Sequence, residues 1–427
     1  MASPFLDSPM RYGRRNRWCG VAALAVAGLA WCGVGWTALA QELDDFEQRG
    51  LRFGKFDVFS EFGVTALYTD NIFAVPGTGV PVGGGELRAK QSDYAAIVTP
   101  GVRVQSNSQR HDVFLQGTAE LARYDEFTSQ NYDDFTVEGG GQFDFTRNMF
   151  VSGVVGFDRG HDDSTDPDRR SILRISKFDV YRGAARFFAR SQRTFVQLDG
   201  RAARREYAPL DLAGVNLNAG RDRLNVATSL RVGHQVSRSY DLFTTFRYRT
   251  TTFDDTPGLR DRSSDRYGLL LGTTLDLDRR IEGEFAAGVE YGSFADERVD
   301  DQFGFTFSAD LDFILSPRWL LNVQGGQAFE PTDSLVSTGR LRTNALADLS
   351  YIASRRLVTS AFVDYDRLDD IESPRIDDTV SAGVSAQYSV NRYLSFRASY
   401  DYTRRTSNET LREFDRNLIL FSVLGRY

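Results

Sequence analysis

"DQFGFTFSADLDFIL" runs from Asp301 to Leu315. Phe303, Phe305, Phe307, Ala309, Leu311 and Phe313 fall on odd positions, and Gln302, Gly304, Thr306, Ser308, Asp310 and Asp312 on even ones. A strict period of two describes a β-strand with two unlike faces. A half-buried strand of a soluble sandwich alternates in the same way, but such strands usually stop after about 5–6 residues. A strand crossing a bilayer obliquely needs about 9–11 residues. Recurrence of the pattern therefore decides between the two.

It recurs. In Arg280–Phe294, Ile281, Phe285, Ala287, Val289 and Tyr291 share a face opposite Glu282, Glu284 and Glu290. In Thr379–Val390, Val380, Ala382, Val384, Ala386 and Tyr388 oppose Ser381, Ser385 and Gln387. In Arg392–Arg405, Leu394, Phe396, Ala398, Tyr400 and Tyr402 oppose Ser395, Arg397, Ser399 and Asp401. The alternation is noisier around residues 90–106 and 177–207.

The connections repeat too. Short breaks such as "FTRNM" (145–149), "RSQRT" (190–194), "LSPRW" (315–319) and "SVNRY" (389–393) place Ser, Thr or Asn near an arginine, after which an apolar residue restarts the strand. Successive break arginines (Arg110, Arg147, Arg193, Arg238, Arg279, Arg318, Arg355, Arg392) stand 37 to 46 residues apart. Each interval holds two strands and one longer, more acidic loop, such as 69–90, 159–171, 254–265 or 366–378. A β-propeller repeats at about 40–50 residues, but each of its blades is four short strands. Two long strands per repeat, short turns at one end and long loops at the other are the stringing of a transmembrane barrel. The reading is an all-β, antiparallel up-and-down barrel over residues 56–427, of about eighteen strands.

The start of the chain fits export. Arg11, Arg14, Arg15 and Arg17 precede an apolar run, and Ala38-Leu39-Ala40 forms a small-x-small site. That is the layout of a cleaved signal peptide over 1–40. Residues 41–55 then form a short periplasmic lead-in, too few for an internal plug domain. Both cysteines, Cys19 and Cys32, lie in the leader, so a mature chain has no disulfide. Removing the leader leaves 47 basic against 57 acidic side chains, a balance of about −10, which argues against nucleic-acid binding. After residue 40 no run of about 20 apolar residues occurs, so a spanning chain must do so as a closed barrel.

In an eighteen-strand barrel the apolar set faces lipid, with Tyr and Phe near the rims, and the polar set lines an aqueous lumen. The lumen-lining candidates are Arg182, Arg186 and Arg190 on one strand, Arg201 and Arg205 on the next, then Arg247, Arg249, Glu282, Glu284, Glu290, Asp310, Asp312, Asp364, Asp366, Arg397 and Asp401. Arginines gather around 182–249 and acids around 282–366. Two readings stand: a transverse field acting on polar solutes, or charges that brace the walls or are simply solvated. Phe188 and Tyr207 read as packing or rim aromatics rather than sugar-stacking rungs. The glycine-bearing loop 69–90 is the most pliable candidate for a constriction. The acids Asp162, Asp163, Asp166 and Asp168 break the calcium-loop spacing and read as a solvated loop. No cofactor or metal is implied. The histidines His111, His161 and His234 fall in no serine-bearing constellation, so no enzyme is expected.

The chain ends "NLILFSVLGRY", with Ile419, Phe421, Val423 and Tyr427 on one face. This resembles the C-terminal strand of bacterial outer-membrane proteins, which implies recognition by the barrel-assembly machinery through Phe421, Val423 and Tyr427. "LYTDNIF" (Leu67–Phe73), with the eighteen-strand spacing, resembles the "Putative beta-barrel porin 2" family. The resemblance covers nearly all of 56–427. It implies an outer-membrane channel for a secreted exopolysaccharide, with the bilayer and periplasmic polysaccharide-export components as partners. A general or sugar/anion-selective diffusion porin fits the pore-facing residues equally well, and a non-conducting structural barrel is the third reading.

Overall fold

The computed structural model of the protein describes residue 48 and residues 50–427, apart from 82–86, 109–110, 170–173, 213, 278–279 and 336. The expected leader over 1–40 lies outside the described residues. Eighteen long strands follow one another: β1 Phe56–Thr69, β2 Asp93–Ser106, β3 His111–Tyr124, β4 Tyr132–Thr146, β5 Met149–His161, β6 Lys177–Ser191, β7 Thr194–Tyr207, β8 Arg223–Gln235 and β9 Tyr240–Phe253. The second half is β10 Ser264–Leu277, β11 Ile281–Phe294, β12 Gln302–Ser316, β13 Trp319–Glu330, β14 Arg340–Ser354, β15 Leu357–Asp370, β16 Ile376–Asn391, β17 Leu394–Ser407 and β18 Phe414–Arg426. Each pairs antiparallel with its neighbours, and β1 pairs with β18 from Glu61↔Arg426 to Thr69↔Leu418. The sheet is a closed barrel with the expected strand number.

The short turns owe their form to the residues before the arginines. Ser316 Oγ accepts from the Arg318 amide at 3.3 Å, Ser354 Oγ from Arg356 at 3.2 Å and Asn391 Oδ1 from Tyr393 at 2.8 Å. Such side-chain-to-backbone bonds two residues on mimic a backbone turn. In the turn after β6, Gln192 takes the left-handed conformation (φ 50°). The short strand Leu51–Phe53 folds back onto β1, below the point where β18 ends. There Gln48 Nε2 donates to the carbonyl of Tyr427 at 3.0 Å, and Tyr427 exchanges both backbone bonds with Ser60 at 2.9 Å. The C-terminal residue is thus built into the seam, and its ring stacks on Tyr393 with centroids 5.6 Å apart.

The opening stretch is now β12. Phe303 is 71% exposed and Phe305 55%, while Thr306 and Asp312 are buried. The outer face repeats this with exposed Leu271, Val155, Val363 and Phe421. Aromatic pairs mark both rims of that face: Trp319 with Tyr351 at the turn end, and Tyr68 with Tyr94 and Tyr248 with Tyr267 at the loop end. An apolar band between aromatic girdles is what a bilayer requires.

The inner face is not uniformly polar. Leu67, Ala95, Ile97, Ala122, Tyr132, Leu418 and Leu420 pack together on one wall, which accounts for the blurred alternation near residues 90–106. On another wall Phe150, Phe188, Phe195, Phe243, Leu270 and Ala286 cluster. Here Phe195 lies over Gly233 and Phe243 over Gly272, their register partners on the next strands; a Cβ at either glycine would collide with the ring.

Candidate functional site: the lumen and its outer mouth

All sixteen lumen-lining candidates project from the face opposite the exposed apolar set. Most are paired along their own wall, with strands one to three positions away. Arg182 Nε reaches Asp158 on β5 at 2.6 Å and its Nη2 Glu138 on β4 at 2.8 Å. Arg186 Nε meets Asp199 on β7 at 2.5 Å, and Arg190 Nη2 meets Asp241 on β9 at 2.9 Å. Glu284 receives both Nη atoms of Arg231, at 2.7 and 2.8 Å. Arg249 lies 3.8 Å from Glu290, whose Oε1 also accepts from the Phe329 amide at 3.2 Å. Arg201 and Arg247 stand on the same wall, opposite Ala227 and Gly268 in register, and Arg205 stacks over Phe178.

The acidic wall is tied by other groups. Asn322 Nδ2 donates to Asp310 at 3.1 Å and to Asp312 at 2.8 Å, and Glu282 stands opposite Asp312 in register. Arg342 Nε binds Asp366 at 2.6 Å, one register step from Asp364. Arg397 Nη2 donates to Ser385 Oγ at 3.4 Å, and buried Asp401 faces Gly383. On the arginine-bearing wall charge is thus answered by acids of the same wall, and on the acidic wall Asp366 is answered by Arg342 but Asp310 and Asp312 by the amide of Asn322. Phe188 is sandwiched between Phe150 and Phe195, with centroids 5.3 and 5.9 Å away.

At the loop end charges meet across the barrel, and there two sequence expectations are overturned. The loop after β5, expected to be solvated, carries Asp162 and Asp168 buried inside the mouth. It reaches from β5 to the far wall. Asp168 Oδ2 accepts from Arg340 Nη2 at 2.6 Å, Thr332 Oγ1 at 3.0 Å and the Asp333 amide at 3.2 Å, and its Oδ1 from Arg375 Nη1 at 3.3 Å. Arg405 Nη2 donates to the Thr165 carbonyl at 2.6 Å, Arg412 Nη1 to the Pro167 carbonyl at 2.7 Å and Arg416 Nη1 to Ser164 Oγ at 3.3 Å. Asp162 Oδ2 takes Arg221 Nη1 at 2.7 Å, and the same guanidinium reaches Asp333 at 3.1 Å and lies 3.8 Å over the Tyr207 ring. Tyr207 is therefore part of this network. Burial cannot be left unpaired at such cost, so the loop's carboxylates are taken up by arginines rather than by water.

The loop expected to be most pliable, 69–90, is instead pinned where it leaves β1. Asn71 is fully buried; its Nδ2 donates to the carbonyls of Val75 and Asp415, both at 2.8 Å, and its Oδ1 accepts from the Val75 amide at 3.2 Å. Ile72, Phe73 and Val75 pack with Phe127 and Tyr124. Gly77 and Gly79 lie beyond this knot; Gly83, Gly84 and Gly85 lie outside the described residues. Arg169 Nη2 reaches the Ala74 carbonyl at 3.4 Å, joining this knot to the inward loop. Arg262, buried, donates to the carbonyls of Ser334 and Gly220, and Arg260 bridges Asp296 and Glu372. Eight of the long connections, those after β1, β5, β7, β9, β11, β13, β15 and β17, are thereby laced together.

The arginines set the ionisation of the inward loop. Burial alone would raise the Asp168 carboxyl, but Arg340 and Arg375 hold it well below the usual range. Burial is likewise outweighed at Asp163, by Arg416 and the bonds from Thr165, and at Asp333, by Arg223 and Arg221. Asp162 goes the other way, raised by burial and by nearby Asp166 despite Arg221. The histidines are dispersed: His111 stacks on Phe143 near a turn, His234 is exposed on β8, and His161, expected in a loop, closes β5 with Nδ1 2.8 Å from Asp134.

Arg231, Arg340, Arg375, Arg221 and Asn322 were not among the residues singled out from sequence. Arg231 and Asn322 sit at inward strand positions that alternation alone could have found. Arg221 and Arg375 sit in loops, where periodicity is silent.

A closed, lipid-faced sheet around a charged interior defines a porin-like outer-membrane β-barrel. The sequence profile described as "Putative beta-barrel porin 2" matches residues 44–427, and the chain belongs to that family. No curated protein matches it in sequence. Among solved structures it is similar to the unliganded ferric citrate transporter FecA, at 9% identity and a TM-score of 0.45, over 83% of this chain and 60% of that one. The siderophore receptor PirA from Acinetobacter baumannii matches at 8% identity and 0.47, over 86% and 80% of the two chains. Pseudomonas aeruginosa OpdK with vanillate matches at 10% and 0.44, over 87% and 99%.

Proposed function

We propose that the protein is an outer-membrane conduit for a secreted exopolysaccharide, delivered by a cleaved leader over 1–40, inserted by the barrel-assembly machinery and fed by periplasmic export components. This reading assigns it no catalysis. The observation that carries it is the latch: the loop after β5 is fastened across the outer mouth by buried Arg–Asp contacts. A diffusion porin for small solutes works best with a standing aperture, whereas a polymer conduit must stay shut between export events. The lacing of eight connections suits the second need.

The test is efflux from proteoliposomes. The wild-type protein is expected to retain both glucose and a short fluorescent dextran, and a variant with 163–168 replaced by Gly and Ser to release both. Free glucose leakage from the wild type would favour the diffusion porin. Retention of dextran by the lid-less variant would defeat the conduit.

A further inference from the structure

Four donors converge on the carboxylate of Asp168: Arg340 Nη2, Arg375 Nη1, Thr332 Oγ1 and the Asp333 amide. They come from β14 and from the loops after β13 and β15, on the far side of the lumen from the strand that leads into Asp168. A carboxylate presented on a crossing strap, received by a bidentate set of cationic and neutral donors, is the arrangement of a ligand in its receptor. The receptor is underfilled. Arg340 is 9% exposed, yet its Nε and Nη1 are buried without a hydrogen-bond partner. Around it, Arg405, Arg412 and Arg416 each give one N–H to a neutral oxygen, of Thr165, Pro167 and Ser164, while Arg412 also pairs with Glu409 and Arg416 lies 3.8 Å from Asp163. Neutral acceptors are the weaker partners for a guanidinium.

We infer that the pocket formed by Arg340, Arg375, Thr332 and the Asp333 amide is a carboxylate site for the exported polymer, which Asp168 occupies in the closed state. The polymer class is an acidic polysaccharide bearing uronate or similar carboxylates. This rests on the conduit reading and deepens it. One sugar carboxylate replaces Asp168, and its neighbouring hydroxyls and ring oxygens take the donors released from Thr165, Pro167 and Ser164. The strap then leaves the mouth because its anchor has been displaced by its competitor. A ligand shifts such an equilibrium only by binding one state better than the other, and here the differential contact is the vacated pocket.

The experiment records single channels of the purified protein in planar bilayers at moderate salt, with polygalacturonate, dextran of matched length or monomeric galacturonate added. Polygalacturonate is expected to raise the open probability of the wild type about tenfold, with dextran and the monomer at equal carboxylate concentration ineffective. Asp168→Asn is expected to be open without ligand and to gain no further opening. Thr332→Val, which removes one neutral donor, is expected to need several-fold more polygalacturonate, and it keeps the test available if Asp168→Asn fails to fold. Equal action of dextran, equal action of the monomer, or a closed Asp168→Asn would overturn the inference. Dextran passing through the lid-less variant while polygalacturonate leaves the wild type shut would sink this inference and leave the conduit standing. Passage of no polymer in any variant would remove both.

Discussion

Arg375 and Asp168 stand 207 residues apart in the chain, yet Nη1 of the first lies 3.3 Å from Oδ1 of the second. The same guanidinium holds Asp377, and Asp370 lies 3.7 Å away. Removing one partner of a buried ion pair typically costs about 3–5 kcal/mol. Arg375→Ala is therefore expected to free the strap, seen as protease cleavage within 163–169 at least about tenfold faster in detergent while the barrel stays folded. Arg412→Ala removes a half-exposed side chain and should change cleavage little. Equal protection of wild type and Arg375→Ala would show that this pair does not hold the strap.

The closed state should resist mild acid. Asp168, Asp163 and Asp333 are held below the usual carboxylate range, so their contribution is fully present above the unfolded value and is lost only as pH falls through the depressed one. Asp162 is raised, so its protonation comes first and relieves a burial penalty rather than breaking the latch. Conductance is expected to stay low from about pH 8 to about pH 5 and to rise only below about pH 3. Opening near pH 6 would contradict this assignment.

The inner wall at the turn end depends on glycine. Gly233→Val and Gly272→Val would drive a side chain into Phe195 and Phe243. Overpacking of this kind costs about 1–3 kcal/mol, to be read from denaturant midpoints of refolding into vesicles. Gly200→Ala meets nothing within 4 Å and should stay within about 0.5 kcal/mol of wild type.

On the outer face, Leu271 is 67% exposed at a site that the barrel gives to lipid. Leu271→Arg is expected to destabilise the refolded barrel by about 2–4 kcal/mol if the site lies near the midplane. Ser308→Arg, on the inner face of β12, should cost much less. The reverse order would invert the assignment of the two faces.

Strands were the legible part. Alternation between the turn residues bounds strands at 56–69, 194–207, 240–253, 281–294 and 319–330, and these coincide with β1, β7, β9, β11 and β13, because alternation and turn chemistry act within a few residues. Loop direction was not legible. Nothing in "DDSTDPD" tells an outward loop from an inward one; that depends on Arg340, Arg375 and Arg405, which lie 170 or more residues downstream. Alternation also fails where both faces are apolar, as at Leu418 and Leu420 inside and Ile419 and Phe421 outside. The motif "TDNIF" was legible as a signature but not as a knot, since four of its hydrogen bonds are made to Asp415 and Asn417 on the seam strand.

The sorting of side chains between lipid and water is tested most directly by single nitroxide labels placed in turn at residues 303 to 312 of the protein in bilayers. Collision with oxygen and with a water-soluble nickel chelate is then measured at each site. Oxygen access should peak at 303, 305, 307, 309 and 311 and chelate access at the positions between. Labels with no period of two, or with both sets shielded from oxygen and chelate alike, would contradict the barrel.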